Sequence, residues 1–400
     1  MGLSIAMVGV GSFAQSFIPL FKAHPLVERV VLCDTDAAKL EENSRKHGLT
    51  ETLPSLDAVC DAPGIDAAVL ITQNWLHGPQ AVQALRAGKH VYSAVPAGVT
   101  VEEIADLVRA VEETGQVYMI GETSAYYPGA LYCRQRLAEG AFGQVVYAEG
   151  EYYHDWDHGL YDVMKWRAGD RWREFAGGPP MHYPTHSVGQ VLSVVGGRMT
   201  HVSCLGFVDT DEDGLYAPGA NRWNNTFSNQ TALFRLSNGA TCRINEFRRI
   251  GHPGCERMSL FGTEGCFEDS SAGKVWVTKD SQATVRLDDL LRCQRAEPAP
   301  SEAGSMDAAL SPEDAYFFGA SRIHPVERLP RSFAGLPNGH WGAHQFLVDD
   351  FVRACAAGQQ PALNSVWHAA RAVVPGLIAH QSSLQNGALL EIPDFGEPGG

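Results

Sequence analysis

No apolar run in the chain approaches the ~20 residues needed to cross a bilayer, so a membrane span is not expected. Paired cysteine spacing is absent as well. The nine cysteines are scattered, odd in number and never arranged as Cys-x-x-Cys, which argues against a disulfide framework or a zinc ribbon and for reduced thiols in the cytoplasm. Basic residues are in short supply, 31 Lys and Arg against 46 Asp and Glu, for a formal net charge of -15. That balance argues against a nucleic-acid partner, which would favour a basic face, though a local arginine cluster can still meet a small anion. The N-terminus runs directly into Leu3–Val8 with no basic stretch, apolar core and cleavage site, so no secretory leader is expected. What the chain does have is 400 residues, 44% of them hydrophobic and 19% charged, the profile of a globular protein too long for one core.

The first 120 residues alternate apolar runs with helical patterns. Leu3–Val8, Val30–Cys33, Ala67–Ile71, His90–Tyr92 and Val117–Ile120 are the runs. Helices are expected over 14–23, from about Asp36, over 79–87 ending at Gly88, and over 101–114. Such alternation means parallel strands with crossover helices, a doubly wound α/β sheet. After about Tyr126 the pattern changes. One helix over 130–139 precedes alternating stretches at 145–153, 199–208, 230–236, 241–247, 258–261 and 274–278, with turn signals such as Ser237-Asn238-Gly239. A second α/β domain on an open, largely antiparallel sheet is expected. Residues 295–338, rich in Pro, Ala, Ser and Gly, are expected to form a long surface excursion, and helical patterns resume at 345–356 and 366–384. The expected domains are therefore 1–124, 125–340 and a C-terminal helical part, 341–400, packing back on the others. No internal repeat is visible.

Gly9-Val10-Gly11-Ser12-Phe13-Ala14 follows the first strand and opens a helix. Gly9 permits a tight turn, Gly11 lets backbone approach a pyrophosphate, and Ala14 keeps helix and sheet close. The helix start offers unpaired N–H groups to phosphate. Asp34, at the end of the next strand, can accept from ribose hydroxyls and repels a 2′-phosphate, which favours NAD over NADP. The bland alternative is that Asp34 only caps the following helix. Gly9, Gly11, Ser12, Phe13 and Asp34 are thus candidate NAD contacts in a Rossmann domain.

Thr72-Gln73-Asn74, His77 and Ala87-Gly88-Lys89-His90-Val91, with the later Phe261-Gly262-Thr263-Glu264-Gly265 turn, resemble the glucose–fructose oxidoreductase, inositol dehydrogenase and rhizopine catabolism superfamily (Gfo/Idh/MocA). The resemblance spans nearly the whole chain. It implies a Rossmann domain followed by a domain whose open sheet carries the substrate site and is often an oligomer surface, so a homo-oligomer is expected. Dehydrogenases of this superfamily carry Glu-Lys-Pro where this chain has Ala94-Val95-Pro96, and valine has no proton to move.

Valine there is similar to the NAD-dependent glycoside hydrolases, typified by bacterial α-N-acetylgalactosaminidases. Gly121-Glu122-Thr123 with Tyr126, the 148–154 stretch ending in His154, Trp166-Arg167, Tyr183-Pro184-Thr185-His186, Asn229-Gln230-Thr231, Arg257-Met258 and Gly339-His340 extend the likeness. Ala94 and Thr123 depart from that subgroup, which has glutamate and asparagine there. The resemblance implies cofactor contacts at Thr72, Asn74, His77, Ala94, Pro96, Glu122, Trp166 and Arg167. It also implies a redox-neutral hydrolysis: oxidation at sugar C3, loss of the acidified C2 proton, elimination at C1, addition of water and re-reduction. The paired carboxylates of ordinary glycosidases are not needed.

His186 and Tyr183 are the candidates for proton transfer, three residues apart and so able to share a helical face. Tyr126 is a further catalytic or substrate candidate and His154 a substrate contact, although a packed aromatic or a structural histidine fits each equally. Lys165, Arg167, Arg171, Arg173, Arg248, Arg249 and Arg257 cluster in the second domain with Trp156, Trp166 and Trp172 between them. Lys165, Arg167 and Arg249 are candidate substrate contacts, suited to an anionic sugar such as sulfoquinovose, or simply a solvated face. The pairs His154/His158, His182/His186 and His340/His344 have helical metal spacing, but no accompanying motif supports a metal. A sugar or polyol dehydrogenase and a non-catalytic NAD sensor remain the alternatives.

Overall fold

The computed structural model describes residues 2–294 and 317–397. Its first sheet is six-stranded and wholly parallel: β1 Leu3–Val8, β2 Val27–Cys33, β3 Thr52–Leu53, β4 Ala67–Leu70, β5 His90–Ser93 and β6 Tyr118–Ile120, in the order β3-β2-β1-β4-β5-β6. β4 and β6 are buried along their whole length, as strands covered on both faces must be. The crossover helix Ala37–His47 starts where Asp36 accepts from Ala38 N (3.0 Å) and Lys39 N (3.3 Å) and stops at Gly48, whose φ is +61°. The expected helix over 14–23 is broken into a 3-10 turn, Phe13–Ser16, and a short α-helix, Ile18–Ala23.

The second sheet has nine strands: β7 Val145–Tyr153, β8 Met199–Val208, β9 Phe227–Leu236, β10 Thr241–Phe247, β11 Cys255–Gly262, β12 Gly265–Ser270, β13 Gly273–Thr278, β14 Val285–Arg286 and β15 Leu390–Glu391. The order is β14-β13-β12-β11-β7-β10-β9-β8-β15, and only the β7–β10 pair is parallel. The helix Thr185–Val195 lies on β7. Gly150 allows this contact, since a Cβ there would sit 2.5 Å from Ser187 O. The turn Phe261–Gly265 becomes the hairpin into β12, a strand the alternation did not reveal because Glu268 and Asp269 interrupt its apolar pattern.

The chain divides into two compact units, and not at single boundaries. The first takes residues 1–98, 102–131 and 289–369; the second takes 99–101, 132–288 and 370–400. This corrects the expected continuous domain from 125 to 340 and the separate C-terminal part. Residues 295–316 of the expected excursion lie outside the described residues. Residues 317–338 are not a surface excursion: Phe333 is buried, Leu329 nearly so, and Phe317, Val326 and Leu336 pack on the same core as Ile5, Met7, Phe17 and Val69. The helical segment Gly339–Ala357 adds Phe346, Leu347, Val348 and Phe351 to that core. Burial of these apolar side chains, not their position in sequence, assigns the segment to the Rossmann unit.

Candidate active site

The first unit carries the dinucleotide elements. Gly9 has φ +87°, and a Cβ on it would lie 2.4 Å from Ile71 O, so only glycine fits this turn. Asp34 follows β2, half-buried, with Oδ2 accepting from Val10 N (3.0 Å) and Oδ1 from Asp36 N (3.0 Å). The helix cap is Asp36, so Asp34 is not the cap; it ties the glycine turn to the end of the neighbouring strand. Ser12 stands at the N-cap of the 3-10 turn without a side-chain bond, and the Phe13 ring meets Phe17 edge-on at 5.2 Å.

Thr72 Oγ1 donates to Gln80 Oε1 (2.6 Å), and Asn74 opens the 3-10 turn Asn74–Leu76. His77 is buried, with Nδ1 2.9 Å from Pro96 O and Nε2 3.1 Å from Thr72 O. Its ring staples the loop after β4 to the turn after β5. Ala94 and Pro96 are buried in that second turn, beside a cis Val95–Pro96 bond. Glu122, after β6, is buried; its Oε1 accepts from Ser124 N (2.8 Å) and its carbonyl from Asn364 Nδ2 (2.9 Å). A glycine cradle that a Cβ would close, with a carboxylate at the adjacent strand end, fits a dinucleotide with a free ribose 2′-hydroxyl.

Tyr126 lies in the first unit. Its hydroxyl donates to Asp350, its ring stacks on Phe346 (5.6 Å, 10°), and Arg328 Nη1 reaches the same Asp350 at 2.5 Å. The residue is buried in the first unit and serves its packing.

The second unit assembles a different set of groups. Strand register aligns Gln230 of β9, Glu246 of β10, Tyr152 of β7 and Glu256 of β11 as one cross-strand rung. His186, in the first turn of the helix above, places Nδ1 3.7 Å from Glu256 Oε2, an ion-pair distance rather than a hydrogen bond. Its ring centroid lies 5.4 Å from those of both Tyr152 and Tyr183. Tyr183 is not on the helix, as expected from spacing; it precedes the N-cap Pro184 and is held there by a turn that Gly376 approaches closely, a Cβ on which would lie 2.1 Å from Met181 O. The two side chains meet all the same.

Tyr152 OH bonds to His154 Nδ1 at 3.0 Å, and the Arg248 guanidinium covers the Tyr152 ring at 4.8 Å. Burial, reinforced by the Arg248 and Arg167 charges, pushes His154 down to about 4, so the ring is neutral near pH 7 and accepts from the phenol. Burial chiefly raises Tyr152 well above its ordinary value. Glu246 is fully buried, and burial pushes it up to about 7 against the opposing effects of Arg248 (3.1 Å) and Ser187 Oγ (2.5 Å). A carboxyl so placed changes protonation near neutrality.

The basic cluster is mostly spent internally. Arg249 is engaged by Asp209 (3.3 Å), Asp213 and Tyr161 (3.1 Å) and braces the 209–213 loop; it also lines a cavity with Asp155, His158 and Asp211. Arg257 pairs with Glu151 (2.5 Å), Arg171 with Glu174 (2.6 Å), and Lys165 with Asp162 (4.0 Å). Trp156 is buried, its Nε1 donating to Tyr216 OH (3.2 Å), and cannot stack on a sugar. Trp166, 57% exposed, and Arg167 lie on the helix Leu160–Ala168, which buries none of its residues. Among the described residues no group of three or more His, Cys, Asp or Glu could hold a metal. No helix among them is long and apolar enough to cross a membrane.

Residues that sequence reasoning passed over are Glu246, Glu256 and Ser187. Period-two alternation places Glu246 on the same face as Ile244, and a charge on an apolar face is a signal. Glu256 gave none, because its partner is set by register alone.

Residues 3–122 match a family described as "Oxidoreductase family, NAD-binding Rossmann fold", and residues 130–268 match "GFO/IDH/MocA C-terminal domain". A "Glycosyl hydrolase family 109 protein" of Saccharopolyspora erythraea is 28% identical over 67% of this chain and 63% of its own length, so the chain spans less than two thirds of that relative. One of the same description from Streptomyces niveus is 26% identical over 98% of this chain and 77% of its own. An "Alpha-N-acetylgalactosaminidase" of Bacteroides fragilis is 36% identical over 37% of this chain and 36% of its own. A solved "Levoglucosan dehydrogenase, complex with NADH and L-sorbose" superposes with a TM-score of 0.73 at 18% identity, covering 99% of this chain and all of the other, a likeness of fold.

Proposed function

Because the chain belongs to the GFO/IDH/MocA oxidoreductase family and carries its NAD-binding Rossmann domain, we propose that it is an NAD-dependent, redox-neutral glycosidase. The observation that carries this reading is His186 held beside Glu256 with the Tyr152 and Tyr183 rings around it, on a chain that has valine where the family's dehydrogenases have lysine.

Gly9, Gly11, Ser12, Phe13 and Asp34 hold the dinucleotide, with the loops at Thr72–Asn74, Ala94–Pro96 and Glu122. Reversible oxidation of a sugar carbinol is the chemistry NAD supplies when bound. The neighbouring C–H is then acidic, and His186, its charge supported by Glu256, takes that proton. The electron pair forms the C1–C2 double bond as the C1–O bond breaks. Tyr183 donates to the departing oxygen, and addition of water reverses the sequence. Neutral His154 fixes the Tyr152 hydroxyl. Arg167, whose charge reaches His154, has no carboxylate partner among the described residues, and on it rests the finer reading that the sugar is anionic, such as a sulfoquinovoside; otherwise an N-acetylgalactosaminide is the substrate.

We also assign the protein to the cytoplasm, on its nine free cysteines, and to a homo-oligomer, on an exposed apolar patch of the second sheet formed by Leu205 (64%), Phe207 (61%) and Leu233 (58%).

The test is turnover of aryl α- and β-glycosides in D₂O without added NAD. Release of aglycone with no net change in absorbance at 340 nm, and deuterium at product C2, is the expected result. Steady NADH formation from free sugars would make the protein a dehydrogenase; ligand-dependent NAD affinity without turnover would make it a sensor. Full-rate cleavage by enzyme stripped of nucleotide would end the proposal.

A further inference from the structure

One segment of the first unit is held in a conformation side chains rarely adopt. His340 (φ 46°), Trp341 (φ 50°) and Gly342 (φ 86°) are left-handed in succession. Packing enforces it: a Cβ on Gly342 would lie 2.7 Å from Gly319 O, and one on Gly339 would lie 2.8 Å from His344 Cε1. Strain that the surroundings over-determine marks a place to look for function.

The turn touches both ends of the dinucleotide edge of the sheet. The His340 ring meets Phe13, in the glycine loop after β1, edge-on at 5.6 Å. The Trp341 ring meets Tyr127, after β6, at 4.7 Å, and Tyr127 OH is bonded to Thr123 Oγ1 at 3.0 Å. In the sheet β4 and β5 lie between β1 and β6, so the turn contacts the loops that follow the first and last of four adjacent strands. Ligands of doubly wound sheets bind outside these carboxyl ends. Asp34, the ribose acid, stands after β2 on the other side of β1, which assigns the adenosine half to that side and leaves the β1–β6 side to the nicotinamide.

The chemistry of the turn suits that half. Trp341 is 47% exposed although its backbone is fixed, a flat ring held out at a ligand edge. His344 is buried, its Nε2 lies 2.8 Å from His340 Nδ1, and its Nδ1 has no partner among the described residues. An orphaned lone pair costs less than an orphaned N–H, so the His344 proton sits on Nε2 and donates to His340.

We infer that the His340–Trp341 turn covers the nicotinamide half of the dinucleotide, Trp341 packing on the heteroaromatic ring. This rests on the NAD reading above. The test uses the full chain, with NADH and ADP-ribose titrated separately by calorimetry and by tryptophan fluorescence. Trp341→Gly suits the left-handed backbone, which offsets part of the lost Tyr127 contact, so the melting temperature without nucleotide should fall by no more than a few degrees. NADH Kd should rise about tenfold in Trp341→Gly, the worth of one good contact. Trp341→Gly should leave ADP-ribose Kd unchanged and should lose part of the energy transfer from tryptophan to NADH. Wild-type binding of NADH with unchanged variant affinity, or equal weakening of NADH and ADP-ribose by Trp341→Gly, would overturn the turn's role. Failure of the wild type to bind NADH would instead remove the NAD reading and this inference with it.

Discussion

Gly150→Ala is the sharpest perturbation of the second unit. The added Cβ would sit 2.5 Å from Ser187 O and 2.8 Å from Ile244 Cδ1, where ordinary contacts begin near 3.4 Å. Helix and strand must therefore separate by roughly 0.9 Å, since a packed interior cannot absorb the methyl otherwise. Ser187 is bonded to His186, so the shift carries the imidazole away from Tyr152 and from Glu256, already 3.7 Å distant. Overpacking of this kind costs about 1–3 kcal/mol, a fall of a few degrees in melting temperature. A displacement near 1 Å at a reacting group costs on the order of 100-fold in turnover. The assay is kcat and KM for aglycone release beside thermal unfolding. Gly254→Ala is the control, because its Cβ would meet only Tyr153 O at 3.5 Å and should change little. Wild-type kcat in Gly150→Ala, with or without a stability loss, would refute the argument that helix height over β7 sets the site.

Stability should fall between pH 7 and pH 5. Burial holds His154, His324 and His380 each down to about 4, below the unfolded value of 6.5, so the unfolded chain binds more protons across that window. At pH 5 each ring costs on the order of 2 kcal/mol, and Glu246, raised to about 7 and most favourable to folding at low pH, offsets about one of them. Urea midpoints that are flat or rise toward pH 5 would contradict this. Asp34→Asn should weaken NADH about tenfold while improving NADPH, read by titration, because the ribose acceptor and its repulsion of a 2′-phosphate go together. Arg249→Ala should cost about 3 kcal/mol by stranding Asp209 and leave NADH Kd unchanged; a higher KM at unaltered melting temperature would restore Arg249 as a substrate contact. Paired Leu205→Glu and Phe207→Glu should lower the mass measured by light scattering to that of one chain; an unchanged mass would remove the β8–β9 face as the interface.

Much of the Rossmann unit was legible in the sequence because its signals are local. A buried strand reads as an apolar run, Gly9 as a turn no side chain can make, and Asp34 by its distance from the glycines. The spans of β7, β8 and β10 were likewise readable, since pleating writes itself into alternate residues. Two things lay beyond local pattern. Residues 317–357 look like a loop and a helix of no fixed allegiance, and only the burial of Leu329, Phe333 and Phe346 among Ile5, Phe17 and Val69 joins them to the first unit. The site of the second unit is a rung: Glu246, Tyr152 and Glu256 become neighbours through strand register, with His186 lowered onto them where Gly150 has no side chain. Periodicity tells which face of a strand a residue occupies, whereas which residues on different strands stand side by side is fixed by pairing across more than 90 positions of chain, and that is a property of the folded sheet.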